Sequence, residues 1–157
     1  SFNREAIQII IKIAAANGFD KLIIGQNGLL STPAASHIIR KYGAFGGLIL
    51  SASHNPAGEQ GDFGIKYNVN NGGPAPEKDT LAFFERSKAL DHYKLADLPD
   101  INLDVTGTQT IEGVTIEIID SVADYAELMQ SIFDFDLLKS TDESPEEEAY
   151  EKVKLRI

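Results

Sequence analysis

The chain has 157 residues, no cysteine and a formal net charge of −10. This length can enclose a sizeable core, and the absence of cysteine excludes disulfides and thiolate metal sites. The acidic balance argues against nonspecific nucleic-acid binding, which needs a basic footprint. No apolar run reaches the roughly 18 residues of a membrane helix. The longest, 7–16, is interrupted by Gln8 and Lys12. Ser1 opens on polar residues with no leader pattern, so a cytoplasmic protein is expected.

Residues 3–17 read as an amphipathic helix. Ile7, Ile10, Ile11 and Ala14 share one face, and Ile9 and Ile13 widen it towards heavy burial. Asn17-Gly18 is the stop. The apolar KLIIG at 21–25 reads as a buried parallel strand. Thr32-Pro33 reads as a helix start, Thr32 as cap and Pro33 in the first turn, with the helix running to about Tyr42 and Gly43. Residues 46–50 (GGLIL) read as the next buried strand. Helix, strand, helix, strand is the pattern of a parallel sheet with crossovers, in which sites form at strand carboxyl ends.

Residues 63–69 alternate, with Phe63, Ile65, Tyr67 and Val69 on one face and Lys66 on the other. A helix is expected over 77–88, an irregular excursion over 93–113 and a strand over 114–119. A helix follows over 121–133, where Ser121 with Asp124 resembles a capping box. The acidic 140–148 reads as a solvated linker or helix start, and KVKLRI at 152–157 as an opening strand. The expected class is α/β, with a mixed, mostly parallel sheet flanked by helices and cut short at both ends.

The organising stretch is 48–76. A strand breaks into the polar loop Ser51-Ala52-Ser53-His54-Asn55-Pro56, passes Gly58, Gly61 and Gly64, and turns again through 70–74. It offers a hydroxyl nucleophile, an imidazole and, from the next strand, the ammonium of Lys66. Taken singly, Ser53 is one loop serine among many, His54 a surface histidine and Lys66 an exposed strand lysine. Ser53 and His54 are adjacent, so they do not make a serine-protease pair, and no G-x-S-x-G elbow is present. Asn55 and Pro56 read as turn-shaping. The glycine-bearing 25–32 lacks the lysine of a P-loop, the acidic cluster from Asp142 to Glu148 lacks EF-hand spacing, and His37 and His92 have no ligand spacing.

SASHNP, GDFGIKYN and NGGPAPE together resemble the α-D-phosphohexomutases, and within them the glucose-specific phosphoglucomutase branch. GQNGLLSTPAAS at 25–36 and EIIDSVADYAELMQSIFDF at 117–135 are similar to the same branch. Ser51 stands where that family commonly has threonine. The resemblance implies that 1–139 is the first, serine-bearing domain without its leading strand, and that 140–157 leads into a second. It implies that Ser53 carries a phosphoryl group, that Lys66 is the acid/base for the sugar hydroxyl, and that His54 helps position phosphate or hydroxyl. It further implies Mg2+ bound through the Ser53 phosphate and ligands outside this chain, with glucose 1,6-bisphosphate as activator and intermediate.

The implied reaction interconverts glucose 1-phosphate and glucose 6-phosphate. The aspartate-rich metal loop, the sugar-selecting loop, the last domain's phosphate loop and an arginine-bearing segment before the first helix have no counterpart here, so the chain alone is expected to be inactive. A mannose or glucosamine phosphate mutase and a non-catalytic scaffold are the alternatives. Expected partners are a hexose phosphate and the remaining domains, with neither membrane nor nucleic acid. A strand edge left open beside 21–25 or 46–50 would favour self-association.

Overall fold

A computed structural model describes residues 2–58 and 60–142. The acidic residues 143–148 and the expected strand 152–157 lie outside the described residues. The chain forms two compact units, the first ending at Val122 and the second beginning at Ala123.

The first unit opens with α1 (Asn3–Ala16), β1 (Lys21–Gly25), a 3-10 turn (Gln26–Gly28) and α2 (Thr32–Lys41). It continues through β2 (Gly46–Ser51), β3 (Gly64–Val69), α3 (Glu77–Lys88), β4 (Gly107–Ile111) and β5 (Val114–Ile119). The helices α4 (Ser121–Ile132) and α5 (Phe135–Asp142) follow. Within the second unit, Phe133 and Phe135 meet edge to face at 6.5 Å between ring centroids.

Among the described residues the strands form two ladders. One has the order β1-β5-β4; the other is β2-β3. β1 runs parallel to β5, with Lys21 opposite Thr115. β4 and β5 are antiparallel, with Gly107 opposite Ile118. The expected mixed sheet is present, and β1 is the expected parallel strand. β2 differs from expectation: its ladder partner is the antiparallel β3, and β1 and β2 share no ladder. The physical reason is the connection, since a chain returning through a loop pairs antiparallel and only a crossover brings a strand back parallel.

The core lies around β5. Ile116 is 0% exposed and packs with Ile11, Ile101, Leu103, Val114 and Ile118. Ile7, Ala15, Leu22, Ile24 and Ile111 close over it. α1 is less buried than its composition suggests. Ile11 and Ala6 are buried, whereas Ile9 is exposed. A helix with isoleucine on all sides has more apolar surface than one sheet face can cover. The excursion after α3 is irregular as expected over most of its length, yet it contributes Leu98, Ile101 and Leu103 to the interior. Gln8 holds it to α1. Its amide donates to the Ile101 carbonyl at 2.8 Å and accepts from the Ile101 N–H at 2.9 Å.

One helix start differs from expectation. The cap of α2 is Ser31, whose hydroxyl accepts from Ala34 N at 3.3 Å, and Thr32 and Pro33 form its first turn. A cap hydroxyl must reach an N–H two or three residues on, and Ser31 stands at that distance. At α4 the Ser121 side chain also reaches beyond its own helix. Its hydroxyl donates to the Leu29 carbonyl at 2.8 Å, while Asp120 accepts from Val122 N at 3.1 Å. The hairpin β4-β5 is absent from the expected elements. It turns through Glu112 (φ 50°) and Gly113 (φ 85°), the pair of positive values that a two-residue hairpin turn requires.

Candidate active site at the end of β2

β2 and β3 form the platform. Leu48, Leu50, Ile65 and Tyr67 occupy one face of the ribbon, since paired residues project to the same side. Tyr67 meets Phe83 of α3 edge to face at 5.5 Å. The other face carries Gly47, Ile49, Ser51, Lys66 and Asn68. Ile49 is buried there, and a Cβ at Gly47 would stand 3.0 Å from Ile39 of α2. Lys66 lies on the side opposite Ile65 and Tyr67, as its alternation predicts, and shares that side with the buried Ile49. It sits opposite Ile49 and diagonal to Ser51, close enough for a long side chain to reach its neighbour's surroundings.

Beyond Ser51 the chain makes a tight turn, closed by Asn55 N donating to the Ala52 carbonyl at 3.1 Å. Ser53 and His54 are its two central residues, and both are exposed. Ser53 has φ 59°, in the left-handed region that non-glycine residues seldom occupy. Its N–H donates to Ser51 Oγ at 3.0 Å, a local serine turn that compensates part of that cost. The hydroxyl of Ser53 is thus raised into solvent at the carboxyl end of a strand. His54 and Lys66 make no hydrogen bond or ion pair with another described residue, so their polar atoms remain available to a ligand.

The loop then returns to β3. Asp62 N donates to the Pro56 carbonyl and Gly61 N to the Gly58 carbonyl, both at 3.0 Å. Asn55 Nδ2 donates to Asp62 Oδ2 at 2.5 Å. Gly61 is required here, because a Cβ would lie 2.2 Å from the Pro56 carbonyl oxygen. Phe63, entering β3, packs edge to face on Phe2 at 5.4 Å. At the far end of the platform Gly72 has φ 83°, and a Cβ there would meet Ser36 O of α2 at 2.4 Å. The turn at 70–73 is therefore packed against α2 at Gly72.

The β2-β3 ladder thus brings Ser53, His54 and Lys66 to one end of one ribbon. Sequence reasoning passes over Asp62 and gives Ser51 no role of its own. Gly-Asp closing a loop that opens with Asn-Pro was the available signal. Among the described residues no group of three His, Asp or Glu is placed to hold a metal ion.

These features define an α/β domain that displays a strained serine at a strand end, beside a histidine and a strand lysine. Residues 1–94 match the family model for phosphoglucomutase/phosphomannomutase, alpha/beta/alpha domain I. The chain belongs to that family. It is 59% identical to the phosphoglucomutase of Rhizobium radiobacter over 88% of its length, covering 26% of that protein. Against phosphoglucomutase-1 of Oryctolagus cuniculus it is 49% identical over 99% of its length, covering 28%. Among solved structures it is similar to the exocytosis-sensitive phosphoprotein pp63/parafusin, a phosphoglucomutase from Paramecium, in its open form. That match has a TM-score of 0.81 and 45% identity and covers 88% of this chain and 27% of the other. The chain therefore spans about a quarter of the length of the curated relatives it matches.

Proposed function

We propose that this chain is the serine-bearing domain of a phosphoglucomutase, an isomerase that interconverts glucose 1-phosphate and glucose 6-phosphate. The supporting observation is the turn after β2. It lifts Ser53 into solvent at φ 59° within a chain 59% identical to a phosphoglucomutase. The domain runs over 1–139, with 140–157 leading to the next. The setting is the cytoplasm, where charged sugar phosphates are retained.

In this reading Ser53 Oγ carries the phosphoryl group. A sugar hydroxyl attacks phosphorus, its new P–O bond forms, and Ser53 Oγ leaves with the electrons of the old one, taking up a proton from solvent to become the free hydroxyl. Lys66 takes the proton from the attacking hydroxyl. When the Ser53 hydroxyl attacks the second phosphoryl group it gives its own proton to solvent, its new P–O bond forms, and the sugar oxygen released takes the proton held by Lys66. His54, central in the same turn, orients phosphate oxygens. Most of the rate would come from positioning and charge neutralisation, as in other phosphoryl transfers. A phosphoserine adds about −1.5 to −2 charge, which an acidic chain holds poorly without a counterion. Its oxygens are ligands of the hard type that Mg2+ accepts. Bound, the ion would neutralise phosphate charge; its carboxylate ligands would come from outside the described residues.

The test is the mass of the Ser53 peptide from the full-length polypeptide containing this chain. One phosphoryl group is expected after exposure to glucose 1,6-bisphosphate, discharged by glucose 1-phosphate with Mg2+ but not by mannose 1-phosphate. A Ser53 that never accepts a phosphoryl group would overturn the reading in favour of a scaffold. The name of the Paramecium relative, a phosphoprotein sensitive to exocytosis, is the observation behind that second reading.

A further inference from the structure

The segment between β2 and β3 has little apolar packing to hold it: from Ser53 to Phe63 the described residues are all exposed. Backbone hydrogen bonds close its two parts, and one of them, Asp62 N to the Pro56 carbonyl, spans the segment. Ala52 and Asn55 close the serine turn, and Pro56, Gly58, Gly61 and Asp62 close the return. The side-chain link between the halves is Asn55 Nδ2 to Asp62 Oδ2 at 2.5 Å. Asn55 is the closing residue of the serine turn. Asp62 stands two residues before Gly64, which pairs with Ser51 at the end of the ladder. Asp62 thus grips the turn twice, through its carboxylate to Asn55 and through its N–H to the Pro56 carbonyl.

We propose that Asn55 and Asp62 are a positioning pair, whose hydrogen bond transmits the rigidity of the β2-β3 ladder to the turn and fixes Ser53 for phosphoryl transfer. The inference rests on the reading of Ser53 as the phosphoryl carrier. The physical basis is direct. Ser53 occupies a costly backbone conformation, and its neighbour Ser51 braces it from the strand side only. Without a brace on the other side, the turn can relax towards commoner geometries. An amide-to-carboxylate bond is the stronger, charge-assisted kind. A displacement of about 1 Å at a reacting centre costs on the order of 100-fold in rate.

The pair can be reversed, which provides the test in the full-length polypeptide. Asn55→Asp places two carboxylates face to face and breaks the bond. Asp62→Asn keeps an acceptor for Asn55. The double variant N55D/D62N restores a bond with donor and acceptor exchanged. The expected result is a kcat about 100-fold lower for N55D with KM for the sugar phosphate little changed, the signature of a transition-state defect. D62N, which keeps an acceptor but loses the charge assistance, falls between the wild type and N55D, and the double variant recovers most of the N55D loss. A double variant as slow as N55D, or an N55D with wild-type kcat, overturns the proposal. Thermal midpoints measured alongside show whether each variant folds. If N55D does not fold, Asp62→Ala, which removes the acceptor without adding charge, is judged by the same kcat criterion. Failure of the underlying reading looks different: the wild type itself then takes no phosphoryl group at Ser53.

Discussion

Ser53 shows how a single residue's backbone can carry chemistry. Its φ of 59° is braced on the strand side by a hydrogen bond to Ser51, and a neutral bond of this kind is worth about 0.5–1.5 kcal/mol. Ser51→Ala should therefore slow phosphoryl loading of Ser53 by up to about tenfold, since about 1.4 kcal/mol is a factor of ten in rate. Ser51→Thr keeps the hydroxyl and should load at the wild-type rate. Loading followed by peptide mass checks both, and an unimpaired S51A would show that the bond does not hold the turn. At this scale the sequence is informative about residue types and poor about partners. Ser53, His54 and Lys66 stand out from their order along the chain. The hydrogen bond from Asn55 to Asp62 joins residues that no spacing rule pairs, so it is visible only once the loop is folded.

The elements show where local signals compete. In α2, Ser31 and Thr32 are both capping residues by type, and the helix uses Ser31. Ser31→Ala should cost about 1 kcal/mol of stability and Thr32→Ala far less, as denaturant melts would register. The hairpin β4-β5 was legible: TQTI and VTIEI flank a two-residue Glu-Gly connection. Its weakness as a signal lies in β4, whose residues from Gly107 to Thr110 are exposed and lack the apolar alternation that marks a half-buried strand. Gly113 occupies φ 85°. Gly113→Ala should destabilise by more than about 1 kcal/mol, and a wild-type melting curve for that variant would contradict the assigned turn. Long apolar runs such as β5 declare themselves, whereas short edge strands are made by the partner they join.

At the scale of the whole molecule, the main fact is the division of strands into two ladders. Residues 73–75 run along the outer edge of β3, with Ala75 N donating to Tyr67 O and Val69 N to Gly73 O, both at 2.9 Å. β1 and β2 have no second strand partner among the described residues. Open edges recruit other strands, so the isolated 157-residue chain should self-associate as its concentration rises. Sedimentation velocity would show the larger species, and a monomer at every concentration would contradict the expectation. The two ladders should also differ in protection. Amides of Ile116 and Ile118, in the central strand of the core ladder, should exchange more slowly than those of β2 and β3, because buried ladders open last. The α/β class and most elements were readable from periodicity. Which strands became neighbours was not, because pairing is decided by contacts between residues far apart in sequence.

The parallel partnership of β1 and β5 sets a timetable for synthesis. Lys21 leaves the ribosome well before its partner Thr115, and the Gln8 clasp must likewise wait for Ile101, 93 positions on. The nascent chain therefore carries the isoleucines of α1 and the edge of β1 without these partners while the serine loop, whose ladder is local, can already close. Contacts of long sequence separation form slowly and leave apolar surface open meanwhile. The serine turn would take shape before the core beneath it exists, and chaperones would meet this stretch chiefly through α1 and β1.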